Sequence, residues 1–115
     1  MTRKAYEKAI SLQKKINKQT WQALQEIVRN NYDLKIDSDN EMYIRIPGEN
    51  NADIEIIPST QGYNFAHIEL WYFNGIEKIN NNCGVYTLAA AIERIDGILR
   101  TVKNHKIAMK MEGNL

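Results

Sequence analysis

The feature that most constrains this chain is a change of hydrophobic period, twice, within 115 residues. From Lys4 to Asn30 there is no Gly or Pro, and Ala5, Ala9, Leu12, Ile16, Ala23 and Ile27 recur at spacings of three, four or seven, with Tyr6, Ile10, Leu24 and Val28 widening the stripe. That is the pattern of an amphipathic helix, and at 1.5 Å per residue it would be about 40 Å long. A small sheet cannot cover such a length, so one end should overhang and offer a surface for a partner or for a homodimer through the first helix.

From Tyr32 onward the period falls to two. Leu34 and Ile36, then Met42, Ile44 and Ile46, then Ile54 and Ile56 alternate with polar residues, and "YNFAHIELWYF" closes the series. The intervening turns "DSDNE", "PGENN" and "PSTQG" are short enough to require antiparallel neighbours. Val85, Leu88, Ile92, Ile95, Leu99 and Val102 then restore the helical spacing, with Gly97 inside the run. The expected order is α-β-β-β-β-α: helix 4–30, strands 32–37, 42–47, 52–57 and 63–73, helix 84–106, and a frayed tail 107–115.

A half-apolar sheet and two amphipathic helices bury their apolar sides only against each other. The expected fold is therefore α+β, a two-layer α/β sandwich in which both helices pack on one face of a four-stranded antiparallel meander. At 115 residues it is a single domain. The other face would carry Tyr43, Arg45, Asp53, Glu55, Ile57, His67, Glu69, Trp71 and Phe73.

A net charge of +1 conceals a segregation. Residues 1–20 hold six basic groups against Glu7, residues 31–77 hold nine acidic groups against Lys35 and Arg45, and residues 97–115 are basic again. Two functional expectations follow. Aromatics rimmed by carboxylates have the composition of a protein-binding surface, so Tyr43, Arg45, Asp53, Glu55, His67, Glu69, Trp71 and Phe73 are the candidate contact residues for a partner with a basic surface. This is the favoured reading: a small interaction or inhibitor protein. The alternative is nucleic-acid binding through basic helices, if Lys4, Lys8, Lys14, Lys15 and Lys18 adjoin Arg100, Lys103 and Lys106.

A third reading concerns the only cysteine. "CGVYTLAAA" places Cys83 at the expected start of the second helix, where free backbone N–H groups stabilise a thiolate. These residues resemble the cysteine-bearing helix of the SUMO-protease-like peptidases and the related bacterial effector acetyltransferases. The resemblance implies a cysteine hydrolase or acyltransferase with Cys83 as nucleophile, His67 as base and Glu69 as orienting acid. Strand parity, however, sets His67 on the face away from the helices.

Two histidines and one cysteine are too few for a stable zinc site, so neither a metal nor a cofactor is expected. One cysteine and an N-terminus without a long apolar run fit a cytosolic protein, and no stretch approaches the 20 or so apolar residues of a membrane span. No membrane partner is expected. Isoleucine, asparagine and lysine, 16, 13 and 10 residues respectively, all use A/T-rich codons. That fits a phage or mobile element of an AT-rich host.

Overall fold

A computed structural model describes residues 2–59, 63–72 and 80–113, with side chains described throughout these except at 72, 80–82 and 105–113. Helix α1 (Arg3–Asn31) leads into strands β1 (Leu34–Asp37), β2 (Met42–Ile46), β3 (Glu49–Pro58), β4 (Ala66–Tyr72) and β5 (Asn80–Val85), and helix α2 (Leu88–Gly113) follows. The strands form one antiparallel sheet in sequence order. The class is α+β, as the change of period requires.

One strand more is present than the alternation suggests. "NNNCGV", which reads as a loop running into a helix, is β5, pairing Val85 with Ala66, His67 with Gly84 and Ile68 with Cys83. Asparagine has a low strand propensity, but the edge of β4 offers a row of backbone donors and acceptors, and pairing with that row prevails. The second helix therefore starts at Leu88 rather than 84. Its N-cap is Thr87, whose Oγ1 accepts from the Ala90 N–H at 3.1 Å. At its other end the helix continues to Gly113, through most of the segment expected to fray.

One core lies between the sheet and the helices. Met42, Ile44, Ile46, Ile54, Ile56, Ile68 and Leu70 face Trp21, Leu24 and Val28 of α1 and Ala91, Ile95, Ile98 and Val102 of α2. The stripe of α1 that docks is thus Trp21, Leu24 and Val28, and the Ala5 to Ile27 stripe lies to one side of it. Two side-chain hydrogen bonds fix the register of α1 on the sheet, from Trp21 Nε1 to the Asp39 carbonyl at 3.0 Å and from Gln25 Nε2 to the Ser38 carbonyl at 3.1 Å. Both satisfy donors that would otherwise be buried unpaired.

The two helices run in the same direction along the sheet. Asn17 of α1 donates to the Asn64 carbonyl, and the Asn64 side chain sits where a Cβ on Gly84 would be, just before α2 begins. At the other end of α1, Tyr32 Oη donates to Asp96 Oδ1 at 2.7 Å, in the middle of α2. The N-terminal half of α1 therefore projects beyond one end of the sheet and the C-terminal part of α2 extends toward the other, giving principal extents of 66 × 27 × 23 Å.

The Tyr32–Asp96 bond joins the helices and can be tested directly. Burial, then the hydrogen bond and charge of Asp96, pushes the Tyr32 phenol up to about 12. A raised pKa means that the fold favours the neutral phenol, so its contribution is complete below the ordinary tyrosine value near 10 and is lost as pH rises through about 12. Tyr32→Phe is expected to cost about 1–2 kcal/mol in urea unfolding at neutral pH, and the difference from wild type should shrink above about pH 10.

Candidate functional site

The face of the sheet without helices is assembled by register. One row runs Ile36, Tyr43, Glu55, Glu69 across β1 to β4, the next holds Arg45, Asp53 and Trp71, and a third holds Ile57, His67 and Gly84. Tyr43, Arg45, Asp53, Glu55, His67, Glu69 and Trp71 are therefore brought together on one surface. Phe73 lies outside the described residues.

This surface is not simply a field of solvated charge. Asp53 is 1 % exposed and Glu69 is also buried, whereas Tyr43, Glu55, His67 and Trp71 are half-buried and Arg45 is exposed. The Asp53 carboxylate is met by Lys35 Nζ at 3.5 Å. Burial raises the Asp53 pKa by more than Lys35 lowers it, so the net shift is upward.

Lys35 reaches Asp53 because β1 carries a bulge. Leu34 pairs with Ile44 on the core side, Ile36 pairs with Tyr43 on the opposite side, and Lys35 lies between them where the register shifts. Strict alternation would have placed Ile36 with Leu34 in the core; the bulge turns it out and leaves it exposed. Lys35 was therefore not legible as a site residue. The signal lay in the weak patterning of "YDLKID", which supports two parities. Arg45 serves the same edge strand, donating from Nη1 to the Leu34 carbonyl at 2.8 Å and to Asp33 Oδ1 at 3.1 Å.

Glu55 and Glu69 stand directly opposite each other on β3 and β4. Like charges in this position are unfavourable. The Glu55 carboxyl is raised first by burial and next by Glu69, with Glu41 adding to the effect, while donors on Tyr43 and Trp71 hold it down. Tyr43 in turn is pushed up to about 12 by burial and by Glu55. The result is a carboxylate flanked by two aromatic donors and crowded by other carboxylates. Electrostatically, such a place favours the arrival of a cation.

The thiol constellation is not brought together. Cys83 pairs with Ile68 and so shares the helix side of the sheet, while His67 and Glu69 belong to the other side. Cys83 also lies within β5, with the N-cap of α2 at Thr87, so the helix N-terminus does not act on it. The basic residues likewise fall into two groups. Lys4, Lys8, Lys14, Lys15 and Lys18 are on the projecting half of α1, and Arg100 and Lys103 lie toward the opposite end of the molecule because the helices run in parallel. They do not form one positive face; the Lys106 side chain is outside the described set.

Among the described residues there is no group of three or more His, Cys, Asp or Glu able to hold a metal ion, and no helix long and apolar enough to cross a membrane. Comparison of the chain with models of protein families, with curated proteins and with solved structures returns no match.

The sign of the Glu55 shift gives a test. With its folded pKa raised, the group contributes fully below the unfolded value near 4.3, and stability is lost as pH rises through the folded value. Glu55→Gln keeps an acceptor for Tyr43 and Trp71 and should raise stability at pH 7 by about 0.5 kcal/mol, with no gain at pH about 4. A loss at neutral pH would show that Glu55 is held by attraction. Lys35→Met should instead cost about 1–2 kcal/mol at pH 7, a value reduced for the half-exposed lysine. That cost should shrink as acid protonates Asp53.

Proposed function

We propose that the protein is a small interaction module, an inhibitor in the sense of a protein that acts by occupying its partner, and that its helix-free sheet face receives a cationic side chain from a basic protein surface. The observation that carries this reading is the raised carboxyl of Glu55, opposite Glu69 and beside Tyr43 and Trp71. Like charges directly opposite on adjacent strands are unfavourable, and the Glu55 carboxyl is raised by burial and by Glu69. A lysine or arginine arriving there offsets their repulsion, and the aromatic faces of Trp71 and Tyr43 add cation–π attraction.

The exposed rim supports the same reading. Ile36 stands exposed beside Tyr43, so a bound segment meets apolar contact next to its charged anchor, while Lys35 and Arg45 on the β1 side are paired with Asp53 and Asp33. The action is binding without covalent chemistry. A cytosolic setting and a phage or mobile-element origin remain parts of this proposal that rest on composition.

Titration with an arginine-rich octapeptide, followed by NMR of the labelled protein, tests it. Shifts should concentrate at Tyr43, Glu55, Glu69 and the Trp71 indole, weaken with added salt, and require about tenfold more peptide in the Glu55→Gln, Glu69→Gln variant. Shifts scattered over the surface, or none at millimolar peptide, would sink the proposal.

A further inference from the structure

Six large apolar side chains that the fold leaves uncovered gather at one end of the molecule. They are Tyr6, Ile10, Leu12 and Ile16 of α1, with Tyr63 and Tyr86, each between 39 % and 79 % exposed. Tyr63 precedes Asn64, whose carbonyl accepts from Asn17, and Tyr86 follows Val85, whose carbonyl accepts from the Phe65 N–H. Both tyrosines therefore lie at the end of the sheet from which α1 projects.

The projecting half of α1 continues the stripe that docks on the sheet. Tyr6 precedes Leu24, and Ile10 precedes Val28, by 18 residues, which is five whole helical turns. Tyr6 and Ile10 thus extend the line of Leu24 and Val28, with none of the described strands beneath them. Leu12 and Ile16 form a second line beside them with Ala5 and Ala9, small residues that permit close approach.

We propose that this end docks on a second copy of the chain, with the projecting helix of each copy covering the sheet end and the projecting helix of the other about a two-fold axis. The uncharged apolar arc favours this occupant, and the basic residues flank it. On the helical wheel the arc from Leu12 through Ile16 and Tyr6 to Ile10 carries no charged residue between residues 5 and 20, while Lys4, Lys8, Lys15 and Lys18 occupy the opposite arc. A seam without charge does not select a charged partner, and the same seam on another copy matches it. Arg3, near the edge of the arc, is tied back to Glu7 at 3.2 Å.

Area points the same way. With an aromatic or large aliphatic side chain burying about 150–250 Å², the exposed fractions of these six amount to roughly 600 Å² per copy. Two copies reach about 1,200 Å², the lower bound for a stable interface. A two-fold arrangement is self-complementary, because each copy supplies both the projecting arm and the re-entrant angle that receives it.

Sedimentation velocity of the full chain, from micromolar to submillimolar concentration, tests this. The expected result is a reversible species of twice the 13.3 kDa chain mass that added salt does not weaken, because salt screens the basic residues flanking the seam. Ile10→Lys combined with Tyr63→Lys should weaken association by about tenfold or more, and Lys15→Ala should leave it unchanged. All three positions are exposed, so circular dichroism should show the wild-type fold in each variant. A chain that sediments as a monomer throughout overturns the proposal, as does a dimer indifferent to Ile10→Lys and Tyr63→Lys. A monomer that instead binds phosphatidylglycerol vesicles through the same residues also overturns it, by assigning the seam to a lipid surface.

Discussion

A strand of seven residues reaches about 23 Å and a helix of 29 residues about 43 Å, and this mismatch governs the molecule. An antiparallel sheet whose apolar residues share one side can take helices only on that side. Both helices must use it, and neither fits within its length. The half of α1 that carries Trp21, Leu24 and Val28 is supported by the core. Among the described residues, the half that carries Tyr6, Ile10, Leu12 and Ile16 is held by its own hydrogen bonds, the Thr2 cap and the Arg3–Glu7 pair, with no residue before Trp21 in the core. Helix propensity alone holds such a segment weakly, so its exposed apolar arc is a cost of the fold that an external contact offsets.

The other side of the sheet has a different logic. There the residues between the core positions are mainly polar, and burial of Asp53 and Glu69 without a helix above them makes electrostatics rather than packing the deciding term. One bulged lysine neutralises Asp53, while Glu55 is left under upward pressure from its neighbours. Groups held against their preferred protonation state are common where a ligand completes the charge balance. The core side specifies the fold, and on the opposite side charge, set by burial and by neighbouring carboxylates, shapes the surface.

Much of the architecture was legible because it depends on periodicity. The existence of helix α1, and strands β2 to β4 with the side on which each strand residue falls, follow from spacings of three or four and of two. What escaped the sequence was decided by tertiary hydrogen bonding. Three successive asparagines argue for a loop until the edge of β4 is present to pair with them, and with β5 in place Cys83 moves from a helix terminus into a strand. The bulge in β1 escaped for a related reason: a four-residue strand at the sheet edge has too few positions to set its own parity, and the Arg45 contacts to Asp33 and Leu34 fix it. The docking stripe of α1 was obscured because the helix carries two apolar lines and composition does not say which one meets the sheet.

The parallel course of α1 and α2 has a mechanical consequence. Thr2 and Gly113 lie toward opposite ends of the long axis, and the strands run along that axis between them. Tension applied through the two ends would slide the helices across the sheet and load the core contacts of Trp21, Leu24, Ile95 and Ile98 together, in shear. Under such a pull the exposed half of α1 before Trp21 would yield first, and the part of the chain docked in the core would then resist as one block.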